Sequence, residues 1–335
     1  MIENIIKMCP SIYKVNKLLF LERVRHAYMD PRNLQTELHS LLIPGAGIYF
    51  RQDAECDILS QHIQLPFFSL WINDIFPKKD IVIRPFTPVP TYTLHFMFED
   101  SLWTQSRQNK EYLLEERECN LFSLQPGLHK IPMAKSKKIL SLHINIDPAA
   151  IPALMQQYPV LQSLEISRPG SMNGRVNQYA YHINPTCDFL IRQILTCQYT
   201  GTSARCFLYR CCLDLLLNIA TQQAMCGQLL LFSTVMNGGA YHDLFKYLET
   251  HPYKYHPVAE LAYMFEIPVA ELAHGFRQLF AVSIEEFTHM AKMVFLYDRI
   301  TSGLFSLPVL AGTVGYDDVA IMLNDVKTFY GDCIL

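Results

Sequence analysis

Several chemistries are missing from this sequence. No stretch reaches the roughly 18 consecutive apolar residues that a membrane-crossing helix needs, so no span is expected. There is no Gly-x-Ser-x-Gly elbow, no P-loop and no dinucleotide fingerprint, the short motifs that expose a nucleophile or cradle phosphates. The ten cysteines contain no CxxC pair, which argues against a zinc site. The one apolar run near the N-terminus, Leu18-Leu19-Phe20-Leu21, is too short for a signal peptide. With no export signal, a cytoplasmic protein is expected, its cysteines reduced and mostly buried. Cys206, Cys211 and Cys212 share one helical segment, where they are read as core. Charged residues are scarce at 18%, while half of the 335 residues are hydrophobic, so the chain is globular and long enough for two or three domains.

The N-terminal part alternates. After a partly helical stretch over 12–42 and a break at Pro44-Gly45-Ala46-Gly47, short runs change sides residue by residue. They are Gln61 to Leu65, Ile81 to Ile83, Tyr92 to Phe98 and Ile139 to Ile146. Prolines at 66, 77, 85, 88, 90, 126 and 132 punctuate them. This pattern predicts a small β-barrel or sandwich, with Pro148 to Leu164 as a short closing helix. His95 and His143 lack a His-x-His pair or a carboxylate at matching spacing, so they are expected at solvent or on one wall of the barrel, not on a metal. A loop, Pro169 to Gly174, leads to two helices, Asp188 to Gln198 and Ala204 to Gln222. The second carries Leu208, Cys211, Cys212, Leu215, Leu216 and Ile219 as an apolar stripe, which serves packing on the barrel or a dimer contact. Asn237-Gly238-Gly239 reads as a linker.

Beyond it, a motif occurs twice. Glu260-Leu261-Ala262 is followed by Leu272 and Phe276, and Val309-Leu310-Ala311 by Met322 and Val326. In each copy an apolar-Ala pair precedes a turn and two apolar residues four apart, which lie on one helix face. Each copy predicts a helix-turn-helix, a unit whose second helix normally enters the DNA major groove.

Barrel, helical pair, linker and doubled motif, in that order, resemble the AraC-type transcriptional regulators. Leu261-Ala262, Leu272 and Phe276-Arg277 match that family's first unit, and Leu310-Ala311, Gly315-Tyr316, Lys327 and Gly331 its second. Phe287 and Lys292 stand on the connecting helix where the family has an aromatic residue and usually Arg. The resemblance implies an α+β chain: a cupin-like effector domain over 1–165, a helical dimerisation and linker region over 166–240, and a double helix-turn-helix over 241–335. It implies a C-terminal domain that binds promoter DNA and an N-terminal domain that binds a small-molecule effector or mediates dimerisation, so a homodimer is expected. An enzyme in the cupin-like half is disfavoured, since neither metal ligands nor a nucleophile constellation is visible, and no cofactor or membrane partner is expected. Carried onto this sequence, the DNA-binding candidates are His274, Arg277, Gln278, Asn324, Lys327 and Thr328.

The outward positions depart from the family. Ala270, Ala273 and His274, and then Ala320, Leu323 and Asn324, stand where large polar or basic residues are usual, with His274 and Asn324 replacing Arg. Pro257 and Pro268 take places where Ser usually caps, Gly275 interrupts the first recognition helix, and the chain stops short of the family's common tail. From Tyr241 to Leu335 there are six basic residues against twelve acidic, a net −6, while the rest of the chain carries +3. A groove-binding domain is normally basic, because neutralised phosphates release counterions. Two readings follow: a sequence-specific DNA-binding regulator, or a degenerate one that has lost DNA binding and acts through ligand or protein contacts.

Overall fold

Alternation does carry the N-terminal part into strands. A computed structural model of the chain describes residues 18–20, 29–105, 111–166, 174–229 and 238–331. The chain divides after Ile183 into two units. In the first, the strands are β1 (Leu18–Phe20), β2 (Gly47–Gln52), β3 (Cys56–Gln64), β4 (Phe68–Pro77), β5 (Ile81–Thr87), β6 (Thr91–Glu99) and β7 (Leu102–Gln105). They continue as β8 (Glu111–Leu114), β9 (Glu118–Leu124), β10 (Gly127–Leu128), β11 (Ile131–Met133), β12 (Ile139–Ile146), β13 (Gly174–Arg175) and β14 (Tyr181–His182). Strand β12 coincides with the alternating run seen in the sequence. Of the stretch expected to be partly helical over 12–42, the described residues form β1 and two 3-10 turns, Pro31–Asn33 and Thr36–Leu41.

The large sheet runs β13-β9-β6-β12-β4-β3-β2, with β14 also on β9; the small one gathers β1, β10 and β11 around β5. Ile58, Ile75, Met97 and Ile139 of the large sheet pack in one cluster with Ile83 and Met133 of the small one, so the two sheets close on each other as a flattened barrel. The closing segment breaks into a 3-10 turn, a helix α1 (Ile151–Gln157) and a second 3-10 turn that buries Leu161 and Leu164.

The second unit is helical: α2 (Pro185–Leu195), α3 (Gly201–Leu229), α4 (Gly238–Thr250), α5 (Val258–Met264), α6 (Val269–Phe280), α7 (Ile284–Ser302), α8 (Leu307–Thr313) and α9 (Val319–Tyr330). The predicted pair of helices is present as α2 and α3. Gly238 and Gly239, read as linker, instead open α4; Asn237 and residues 169–173 of the middle loop lie outside the described residues. The apolar stripe of α3 is at most 2% exposed in the single chain, from Leu208 through Ile219. It is therefore used up in packing and is not open to a second copy. Among the described residues, no helix is long and apolar enough to cross a membrane.

The reading of the cysteines needs one correction. Cys187, Cys197, Cys211 and Cys212 are buried free thiols; Cys206 is buried as well, as expected of a core residue, but it is disulfide-bonded and not reduced.

Candidate nucleic-acid interface

The two copies of the motif fold alike, with the same backbone bonds through the turn. Helix α5 ends where Phe265 N–H donates to the Leu261 carbonyl (3.1 Å), and α8 where Val314 N–H donates to that of Leu310 (3.2 Å). The turn then closes back: Ile267 N–H reaches the Ala262 carbonyl at 3.0 Å and Tyr316 N–H that of Ala311 at 2.9 Å. Each turn passes through one left-handed residue, Gly315 at φ 79° and, at the matching position, Glu266 at φ 53°. Glycine takes that conformation freely; for Glu266 it costs of order 1 kcal/mol, held by the bonds around it.

The second helices of the two units, α6 and α9, then start on Pro268 and Asp318, and at the latter the side chain accepts from Ala320 N–H at 2.7 Å. Pro257 and Pro268 do stand at the cap positions and supply no side-chain cap. The buried sets are equivalent: Leu261, Ala262, Leu272, Phe276 and Phe280 in one, Leu310, Ala311, Met322, Val326 and Tyr330 in the other, each at most 4% exposed. Helix α7 joins them, entered through a capping box in which Glu286 N–H donates to Ser283 Oγ and Ser283 N–H to Glu286 Oε2.

Each unit is also fastened to the helical pair. Phe189 of α2 meets Phe287 at 5.5 Å between ring centroids, beside the stack of Phe245 on Phe287 at 4.0 Å. Phe207 of α3 meets Tyr297 at 5.3 Å and Tyr330 at 5.9 Å. The last carbonyl of α6, on Phe280, accepts from Thr186 Oγ1 (2.9 Å) and from Asn218 Nδ2 (2.8 Å). Helix termini leave such carbonyls without an intrahelical donor, and here α2 and α3 supply two. At the end of α9, the Arg210 guanidinium of α3 lies 3.8 Å over the Phe329 ring while pairing bidentately with buried Asp214 at 2.7 and 2.9 Å. Burial pushes the Asp214 carboxyl above its ordinary pKa, against the pull of Arg210.

Gly275 has a reason to be glycine. The Tyr241 ring from α4 occupies the space a Cβ would need there, and its hydroxyl donates to the Glu271 carbonyl at 3.1 Å.

Of the six candidate residues, His274 and Arg277 on α6, and Asn324, Lys327 and Thr328 on α9, are exposed. His274 and Asn324 stand 50 positions apart, as do Arg277 and Lys327, so each pair occupies one place in the repeat. Ala270 and Ala273 share the exposed face of the first pair, and Ala320 that of the second. Gln278 does not join them: it is half-buried, with a buried Nε2. Thr328 turns its hydroxyl onto the Asn324 carbonyl at 2.7 Å and lines a cleft of about 350 Å³ among α2, α3, α7 and α9. Lys292 is turned inward over the Tyr316 ring, 4.1 Å from its centroid, where burial lowers its pKa. Tyr316 in turn donates its hydroxyl to Asp325.

The barrel interior is a second candidate. One row of side chains, paired strand to strand, runs His62, Trp71, His143, His95 and Asn120 across β3, β4, β12, β6 and β9. Ser60, Asn73 and Ser141 lie on one side of that row and Ser69, Asn145 and Thr93 on the other, on the same sheet face as Ile58, Ile75 and Ile139 and hence facing inward. The opposite face is apolar, with Leu70, Ile144, Leu94 and Leu121 fully buried. Bonds inside the polar patch include Thr93 Oγ1 to Asn145 Oδ1 at 2.7 Å and Trp71 Nε1 to Ser69 Oγ at 3.1 Å. The expectation that His95 and His143 sit at solvent or on a barrel wall resolves to the inner wall, their rings 4.5 Å apart. Each keeps a buried Nδ1 with no hydrogen-bond partner among the described residues. Burial holds His95 down to about 4 and His143 well below the usual imidazole range, so both are neutral near pH 7. Among the described residues, no three His, Cys, Asp or Glu side chains stand together as a metal-ligand set. At the rim, Gln64, Phe67, Ser69, Val89, Thr91 and Asn145 line a cavity of about 530 Å³.

No family model matches the sequence, nor does any curated protein sequence. Among solved structures, ToxT from Vibrio cholerae is similar over 79% of this chain and 96% of its own, at 8% identity and a TM-score of 0.31. The AraC-like transcriptional activator CuxR is similar over 78% and 89%, at 9% identity and a TM-score of 0.33. A Cupin 2 conserved barrel domain protein from Salinispora arenicola is similar over 32% of this chain and 90% of its own, at 10% identity and a TM-score of 0.23.

Proposed function

We propose that this chain is an effector-responsive, DNA-binding transcriptional regulator of the AraC type. The observation that carries the reading is the equivalence of the two helix-turn-helix units, down to the turn bonds at Ile267 and Tyr316 and the paired exposed positions His274/Asn324 and Arg277/Lys327. Two such helices are what an asymmetric reader of two successive groove segments needs. Arg277 and Lys327 supply phosphate contacts at matching places. The polar barrel interior, with its rim cavity and two buried imidazole nitrogens, is suited to a small hydrogen-bonding effector. A cytoplasmic homodimer belongs to this reading, with its contact outside the buried stripe of α3.

The second reading, a regulator that no longer grips DNA, is favoured by the net −6 of residues 241–335 and by the small side chains on both recognition helices. Fluorescence anisotropy of the full chain on mixed duplex DNA, at about 50 and 200 mM salt, separates the two. The regulator reading expects micromolar or tighter binding that weakens with salt. The slope should be shallow, about −2 to −4 on logarithmic axes, because roughly 0.9 accrues per neutralised phosphate. No binding to any duplex, including the DNA flanking the protein's own gene, would sink it in favour of the second.

A further inference from the structure

The surface that would meet base edges is small and largely apolar. In a helix-turn-helix the N-terminal residues of the recognition helix face the bases. On α6 those are Val269, Ala270, Ala273 and His274, with Glu271 on the flank; on α9 they are Ala320 and Asn324, with Ile321 on the matching flank. Val269 and Ile321 are each 57% exposed, and the alanines, His274 and Asn324 are exposed with them. The basic residues, Arg277 and Lys327, come only in the last turns. Glu271, the exposed carboxylate of α6, is on the flank shared with half-buried Gln278, and Asp325 of α9 is engaged by Tyr316.

Base edges in the major groove are chemically distinct. Guanine offers two acceptors, met best by Arg or Lys; cytosine offers an amine, met by a carboxylate. Thymine offers a methyl group, met by small apolar side chains, and adenine a donor-acceptor pair that an Asn amide meets with two bonds. No Arg or Lys, the best partners of guanine, stands on the first two turns of either helix. Of the carboxylates there, Glu271 lies on the flank of α6 and Asp325 is engaged by Tyr316, while both partners for an A·T pair stand on the exposed face. From this we infer that the two units read A·T base pairs: Ala270, Ala273 and Ala320 pack on thymine methyls, and Asn324 takes adenine through its N6 and N7. The inference rests on the DNA-binding reading and names the sequence class of the same surface.

The shortage of cations sharpens this. With a small phosphate contribution, non-specific binding is weak, so the methyl contacts carry a larger share of affinity than they would on a basic domain.

The test is selection from a random duplex library with the full chain, followed by anisotropy on the selected site and on the same site with every thymine replaced by deoxyuridine. That replacement removes the methyls and leaves pairing and charge unchanged. Runs of A·T pairs in the selected sites, and affinity at least tenfold weaker on the deoxyuridine duplex, are expected, since each buried methyl contributes a factor of about 4. A selected site rich in G·C, or deoxyuridine binding equal to thymine binding, overturns the inference and leaves the regulator intact. Failure to retain any duplex overturns both. As a positional check, Asn324→Arg should convert a preferred adenine to guanine, whereas an unchanged preference also overturns the assignment. Asn324 is exposed on the helix surface, so neither this substitution nor Asn324→Ala endangers the fold.

Discussion

Tyr241 and Gly275 fit each other: the tyrosine ring fills the place of the missing side chain, and its hydroxyl donates to the Glu271 carbonyl at 3.1 Å. Helix propensity alone makes Gly275→Ala a gain of about 1 kcal/mol. Against that stands overpacking on a buried ring, at about 1–3 kcal/mol. We expect Gly275→Ala to lower the melting temperature of the helical unit by several degrees, and Gly275→Ala with Tyr241→Ala to recover part of the propensity gain. A rise in melting temperature for the single variant would show that the ring moves aside at little cost.

Asn218 links three segments. It donates to the Phe280 carbonyl at 2.8 Å, and its carbonyl oxygen accepts from Asn184 and Gln222, each at 3.0 Å. Asn218→Leu leaves buried groups unsatisfied and should destabilise by about 2–4 kcal/mol, at about 1–3 for each unpaired group. Urea unfolding followed by far-ultraviolet circular dichroism gives the value. If α6 depends on this anchor, amide exchange at Arg277 to Phe280 should quicken in the variant.

The buried imidazoles make the barrel acid-sensitive. Their folded pKa values lie below the ordinary 6.5, with His95 at about 4, so the unfolded chain binds more protons between those limits. The stability they leave intact above about 6.5 is lost as pH falls, by about 3 kcal/mol for His95 at pH 4, at 1.36 per pKa unit. Chemical denaturation at pH 7 and pH 5 should show the loss, and His95→Asn should flatten the slope. Equal slopes in wild type and variant would remove His95 as its source.

Asp214 titrates with the opposite sign. Its carboxyl pKa is raised by burial and held down in part by Arg210, so removing the guanidinium leaves a buried charge uncompensated. Arg210→Met should cost about 3–5 kcal/mol at neutral pH and less at pH 5, where protonation relieves the site. Adding Asp214→Leu should restore much of the loss. A pH-independent penalty would assign it to lost packing on Phe329 instead.

Effector binding is open to a direct check at the rim. Asn145→Leu with Ser69→Ala should abolish any ligand-induced rise in melting temperature while leaving DNA affinity of the ligand-free chain unchanged. An undiminished shift would place the effector elsewhere.

What could be read in advance was local. The doubled motif, with Leu272 and Phe276 against Met322 and Val326, is a four-residue period that one helix face writes directly into the chain, and β12 shows its pleat as alternation from Leu140 to Ile146. What escaped was set by distant partners. Gly275 looked like a flaw because its partner belongs to α4. The α3 stripe left packing and a dimer contact equally open, and only its burial within the chain decides between them. His62, Trp71, His143, His95 and Asn120 form one row only after five strands are placed in register, and no spacing along the chain predicts that. Gln278, next to Arg277 in sequence, is about a hundred degrees away around the helix and faces inward.

The double bond to the Phe280 carbonyl bears on how this protein can be divided. Thr186 and Asn218 both lie ahead of the point where a helix-turn-helix cassette would ordinarily be excised, at the start of α4. A fragment beginning there would lose both donors, together with Phe189, Phe207 and Arg210. Domain swaps and expression of the helix-turn-helix units alone should therefore join at Asn184, carrying the helical pair along as part of the cassette.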